Sequence, residues 1–141
     1  MKTFTLKTPG IPMWVTIFAM IAFVTGCALG LMAIFGQAWG QGFAQAFGQE
    51  SMRAISTSWG SRTLGLGLIY GIAILLKSPN AYIVAFVGGL GRDLGDLLGE
   101  LNESEPHISI MIGTAVFFIV GVLGIVAAYK ARRLQTDHLL R

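Results

Sequence analysis

The chain has 141 residues, of which 54% are hydrophobic and only 12% are charged. A soluble domain carries about 25% charged residues, so this composition excludes an ordinary soluble protein, whose apolar patches would aggregate in water. The net charge of +3 comes from basic residues that lie mainly near the chain ends, which fits membrane topology better than a nucleic-acid-binding face. The single cysteine, Cys27, excludes an internal disulfide and a cysteine-based metal site.

Two membrane spans are predicted in the first half of the chain, because about 20 mostly apolar residues suffice to cross a bilayer. The first covers residues 11–35 and contains no charge. Pro12 suits its first turn, where a missing N–H group is no loss. The second covers residues 59–76 and ends at the breaker cluster Lys77-Ser78-Pro79-Asn80.

Two further spans are predicted in the second half, over residues 81–101 and 108–129. The fourth is uncharged and leads into a polar tail, residues 130–141. The third is less apolar because it holds four charged residues: Arg92, Asp93, Asp96 and Glu100. The sequence therefore predicts an all-α protein, a transmembrane four-helix bundle that forms a single membrane domain.

The distribution of lysine and arginine predicts the orientation of this bundle. Seven basic residues fall on one side: Lys2, Lys7, Lys77, Lys130, Arg132, Arg133 and Arg141. On the other side, Arg53 is the only basic residue in the connections between spans. Basic residues are enriched on the cytoplasmic side of membranes, so both the N and C termini are predicted to be cytoplasmic.

The connection between the first two spans, residues 36–58, places glutamine repeatedly beside aromatic residues. Trp39, Phe43, Phe47 and Ile55 recur at helical spacing. This pattern is typical either of an interfacial helix that lies flat on the outer surface or of a loop with interfacial aromatics. Both interpretations stay open.

The segment Val24-Thr25-Gly26-Cys27, after two lysines and an apolar run, is similar to a lipoprotein cleavage site, where Cys27 would be lipidated. The apolar run continues to Phe35, whereas a lipoprotein turns polar after its cysteine. We therefore favour Cys27 as a packed residue of the first span. Glycines four residues apart, such as Gly26 and Gly30 or Gly91 and Gly95, further predict close approach of helix backbones.

The candidate functional residues are charges inside the spans: Arg62, Arg92, Asp93 and Asp96. A charge near the bilayer centre costs roughly 2.5–3.5 kcal/mol, so such residues face the bundle and pair. At about 1.5 Å per residue, Arg62 lies roughly 21 Å from the cytoplasmic end of its span, and Asp93 and Asp96 roughly 18 and 22 Å from theirs. The sequence thus predicts a polar layer between the second and third spans, in which Arg92 and Asp96 are i, i+4 neighbours.

This polar layer has two interpretations. It is either a structural ion-pair network that fixes helix pairing, or the lining of a polar cavity with Glu100 and His107 near its mouth. The two arginines can neutralise Asp93 and Asp96 once Glu100 is assigned to the interface, which favours the structural interpretation. No nucleophile–base pair, phosphate loop or metal-ligand spacing is found, so no catalytic residue, metal site or cofactor is predicted.

Two segments carry a resemblance to a known family: SRTLGLG, from Ser61 to Gly67, and GRDLGD, from Gly91 to Asp96. With the four spans, they make the chain resemble the DoxX-like group of small four-helix membrane proteins. The resemblance implies a multi-pass protein of the bacterial inner (plasma) membrane, in a group sometimes linked to quinone or sulfur redox systems. It carries over no catalytic residue.

Two functions are consistent with these patterns. The first is a non-enzymatic accessory or scaffold protein in the lipid bilayer, with a membrane-protein partner or further copies of itself. The alternative is a binder, carrier or membrane enzyme for a lipophilic small molecule such as a quinone or an isoprenoid. Nucleic acid is not an expected partner.

Overall fold

The structure is a computed structural model that describes residues 10–35, 49–102 and 108–139. It contains four helices in this part of the chain: α1 (Met13–Phe35), α2 (Gln49–Leu76), α3 (Pro79–Leu101) and α4 (Ile108–Leu139). The prediction of an all-α chain is confirmed for these residues. The chain divides into a central unit, Phe18–Ile72, and a terminal unit made of Met1–Ile17 and Ala73–Arg141. Each unit is described by itself.

Three helices are long and apolar enough to cross a membrane, over Met13–Phe35, Ser58–Leu76 and Met111–Thr136. Most of their large apolar side chains point outward, and the exposed fraction reaches 79% at Phe35. An apolar outer surface is stable in lipid, so these helices indicate an integral membrane protein, as predicted. Helix α3 is not among them because its second half is charged, and its assignment as a span stays a prediction.

Two helices extend beyond the predicted spans. Helix α2 begins at Gln49, because residues 49–57 contain neither glycine nor proline to break it. The predicted interfacial helix falls largely on residues 36–48, with Trp39, Phe43 and Phe47, which lie outside the described residues; Ile55 belongs to α2. Helix α4 runs on to Leu139, so most of the predicted polar tail is helical.

The link between α2 and α3 consists of two residues that follow the breaker cluster of the sequence. Lys77 adopts the left-handed conformation, with φ of 49°, and its N–H donates to the Ala73 carbonyl at 3.2 Å. Ser78 is extended, as the residue before a proline must be, and Pro79 opens α3 in the first-turn position that suits it.

In the central unit, glycine brings the backbones of α1 and α2 into direct contact. A Cβ atom added to Gly26 would lie 2.9 Å from the Cα of Gly67, and one added to Gly30 would lie 2.6 Å from the Leu64 nitrogen. Cys27 borders the same contact, since a Cβ atom on Gly67 would lie 3.2 Å from its Sγ. This is the small-residue packing by which helices associate in lipid.

In the terminal unit, α3 and α4 pack antiparallel, with Gly124 against the ring of Phe86 and Gly121 against Leu90. The start of α1 packs at the same end, where Gly10 lies against Ala131. The buried residues of this core include Ile11, Val15, Thr16, Ala73, Ile74, Tyr82, Ala85, Phe86, Ala128 and Ala131. Within it the Tyr82 hydroxyl donates to Thr16 Oγ1 at 3.5 Å.

The close contact of α1 and α2 predicts a contrast between two glycine substitutions. Gly30→Ala places a methyl group within 2.8 Å of backbone atoms of Leu64, so we expect it to lower the free energy of unfolding by about 1–3 kcal/mol. In the matched control, Gly65→Ala, the new methyl group meets nothing within 4 Å, and helix propensity favours it. Thermal unfolding in mild detergent measures both. Equal melting temperatures for the two variants would contradict the close contact.

Candidate functional site

The inward face of α3 changes from apolar to acidic along one line of residues, which we call the seam. Its first part is buried and consists of Pro79, Tyr82, Phe86 and Gly89. The same spacing of alternately three and four residues continues with Asp93, Asp96 and Glu100. This spacing keeps to one side of a helix. The three acids therefore lie on the same face of α3 as the buried residues, in the turns that follow them.

The acids lie where the core of the terminal unit ends. Asp93, Asp96 and Glu100 are each half-buried. Beyond Gly89 no residue of α3 is buried, and none of the described side chains of α4 before Gly121 is buried. The carboxylates are therefore partly shielded by their own helix pair without being enclosed by it.

Arg92 and Asp96 form an ion pair on α3, with Nε of the arginine 3.2 Å from Oδ2 of the aspartate. They are i, i+4 neighbours, and 37% and 35% of their side-chain surfaces are exposed. An exposed helical pair of this kind contributes only about 0.3–0.5 kcal/mol in water. Its principal effect is to neutralise one carboxylate of the seam, which lowers the cost of placing α3 near lipid.

Helix α4 carries small residues at the level of Asp96. The contacts of Phe86 with Gly124 and of Leu90 with Gly121 set an antiparallel register that places Thr114 level with Asp96. Its neighbour Gly113 is open, because a Cβ atom there would meet nothing within 4 Å. These small residues opposite Asp96 leave room for a polar group, of a ligand or of another helix, beside this part of the seam.

Two other predicted site residues, Arg62 and His107, are not part of the described terminal unit. Arg62 lies in the central unit, is exposed, and is the only charged residue of that unit whose side chain is described. Its place in a polar layer with α3 stays a prediction. His107 lies outside the described residues, so the predicted cavity mouth of Glu100 and His107 also stays a prediction. Among the described residues, no group of three or more His, Cys, Asp or Glu side chains could hold a metal ion.

A second polar feature lies at the end of α4, in the segment that the sequence predicts only as a polar tail. Tyr129, Arg132, Arg133 and Thr136 line a surface groove of about 420 Å³. Their spacing of i, i+3, i+4 and i+7 places them on one helix face. This spacing is the sequence pattern from which the groove could have been predicted. The spacing becomes informative only once the helix is known to continue past residue 129.

The chain was compared with protein-family models, with curated proteins and with solved structures, and no match was found.

The ion pair of α3 predicts a small coupling energy. In a double-mutant cycle of Arg92→Gln and Asp96→Asn, we expect a coupling of about 0.5 kcal/mol, because the pair is local and a third exposed. Chemical denaturation in detergent micelles measures it. A coupling above about 2 kcal/mol would contradict this account, since it would require a pair removed from solvent.

Proposed function

We propose that the chain is a small multi-pass membrane protein of the non-enzymatic accessory or scaffold type, which works by associating with another transmembrane helix. The observation that carries the proposal is a line of open glycines on α3. Gly91, Gly95 and Gly99 are exposed, and a Cβ atom on any of them would meet nothing within 4 Å.

The same chain shows what glycines at this spacing do when a helix covers them. Gly26 and Gly30 let α2 approach α1 until backbones touch, whereas Gly91 and Gly95 have the same spacing and no such cover among the described residues. Exposed leucines, Leu94 and Leu98, flank the open line. A face of glycine and leucine allows a second helix to approach closely and to gain van der Waals contact in lipid.

The charges of the spans belong to this proposal as structural groups. The similar depths of Arg62, Asp93 and Asp96, calculated from the helical rise, support a polar layer between α2 and α3 that fixes how the helices pair. The intrahelical pair of Arg92 with Asp96 supports the same role, because it neutralises charge instead of leaving a reactive carboxylate.

The location of the protein is likewise a proposal. Lys77, Lys130, Arg132 and Arg133 lie at one end of the terminal unit, where the start of α3 meets the end of α4. This concentration of basic residues supports cytoplasmic termini. The proposed place in the bacterial inner membrane follows only from the resemblance to the DoxX-like group. Membership of the DoxX-like group rests on the segments Ser61–Gly67 and Gly91–Asp96.

The open glycine line predicts that Gly95→Leu weakens assembly. A leucine there keeps the helices from close approach, and we expect the dissociation constant of the complex to rise about tenfold. Val87→Leu is the matched control, because position 87 is exposed and already holds a large side chain. Native mass spectrometry of the protein extracted in mild detergent measures subunits and partners. A wild-type protein that is strictly monomeric, with no co-purifying partner, would contradict the proposal.

A second candidate, a binder of a lipophilic molecule with a polar head group, is favoured by one observation. The seam acid Asp96 lies level with the small residues Gly113 and Thr114 of α4, where a polar head group has room, and Asp93 lies one turn away on the same line. A quinone or an isoprenoid is the ligand class this arrangement supports, with its apolar tail toward lipid.

For this candidate, Asp96→Asn and Arg62→Gln should each weaken binding of a short-chain quinone about tenfold, because each removes a charged hydrogen-bonding group. Lys130→Gln serves as the control, because Lys130 lies on α4 near the start of α3, at the other end of the helix pair from the seam acids. Fluorescence titration and thermal unfolding, run on the same samples, separate binding from stability. Variants with lower melting temperature and unchanged quinone affinity would exclude this candidate.

A further inference from the structure

The end of α4 combines two arginines, a tyrosine and a threonine around one groove. Arg133 lies over the ring of Tyr129, with 5.0 Å between its guanidinium carbon and the ring centroid. Arg132 and Thr136 complete the groove. The Thr136 hydroxyl donates to the Arg132 carbonyl at 3.1 Å, so its proton is already used and the donors available to a ligand are the guanidinium groups and the tyrosine hydroxyl.

The groove lies at the depth of lipid head groups. The uncharged part of α4 from Met111 to Tyr129 is about 28 Å long at 1.5 Å per residue, close to the roughly 30 Å of the bilayer hydrocarbon core. The next residues are Lys130, Arg132 and Arg133, which therefore emerge where phosphate groups lie. The tyrosine before them is at the interface, a position that suits a ring with a polar end.

The surroundings of the groove are basic. The start of α3 packs at this end of α4, and the turn before it contributes Lys77. The described side chains of α4 from Gly121 to Thr136 include no acid, and the first acid beyond them is Asp137.

Basic residues at a helix end also fix membrane orientation, but that role needs only positive charge. The groove has a further property, since a guanidinium presents a fixed fork of donors that matches phosphate oxygens, and stacking on Tyr129 orients one of the two. Lysine would supply the charge without the fork. The geometry of the groove therefore suits an oxyanion such as a phosphate, in addition to attracting negative charge.

We propose that the groove of Tyr129, Arg132, Arg133 and Thr136 binds the phosphate group of an anionic phospholipid in the cytoplasmic leaflet. Arg132 and Arg133 donate to the phosphate oxygens, and the Tyr129 hydroxyl donates to a further oxygen of the head group. This inference is independent of the proposed scaffold function, but it rests on the proposed orientation, in which α4 crosses the membrane with its basic end in the cytoplasmic leaflet.

The test compares arginine-to-lysine variants, which keep the charge and thus the orientation of the protein. Wild type, Arg132→Lys/Arg133→Lys and Lys130→Arg are placed in nanodiscs of phosphatidylcholine with a fraction of phosphatidylglycerol. Bound lipid is then counted by native mass spectrometry. We expect the wild type and Lys130→Arg to retain phosphatidylglycerol, and the double variant to bind it about tenfold more weakly, because lysine cannot form the bidentate hydrogen bonds of the guanidinium fork.

Two results would overturn the proposal. Equal retention of phosphatidylglycerol by the wild type and the double variant would mean that charge alone attracts the lipid. Equal retention of phosphatidylcholine and phosphatidylglycerol by the wild type would mean that no anionic lipid is selected. Inorganic phosphate in molar excess is a further arm, and its failure to displace the lipid is the expected result. Displacement would identify free phosphate as the ligand and refute the lipid.

Discussion

Direct contact between helix backbones is the interaction on which this small protein depends. In lipid, burying apolar side chains brings little gain, since the acyl chains are as apolar as the side chains they replace. Helices must instead gain dispersion energy through close packing, which requires small residues at the contact. Gly26, Gly30 and Gly67 provide this in the central unit, and Gly121 and Gly124 receive large side chains of α3 in the terminal unit.

The terminal unit combines two environments along a single helix. At one end of α3, Tyr82 and Phe86 are fully buried against small residues of α4 and the start of α1. At the other end the same line of positions carries Asp93, Asp96 and Glu100. A helix built this way is held firmly at its apolar end, while its acidic end is partly compensated by Arg92 alone on the same helix. The acidic end is therefore where association with other molecules has the largest energetic effect.

The four helices of the described residues were predictable, because long apolar runs mark them and one strong breaker cluster separates α2 from α3. The role of each glycine was not. Gly26 and Gly30 have the same spacing as Gly91 and Gly95, yet the first pair touches another backbone and the second is open, because contact depends on which helix lies opposite. The acidic seam is readable from its spacing of three and four residues, which a depth estimate from the helical rise does not use. The direction in which Arg62 points depends on helix rotation, which a nearly uniform apolar sequence does not fix.

The two-residue link between α2 and α3 has a consequence for biosynthesis. Helix α3 holds four charged residues and is too polar for its sequence alone to direct entry into a bilayer. Because only Lys77 and Ser78 separate it from α2, α3 follows the apolar α2 directly during synthesis. If α3 spans the membrane as predicted, the favourable transfer of α2 is available to offset its charges. Lengthening the link would then uncouple the insertion of the two helices.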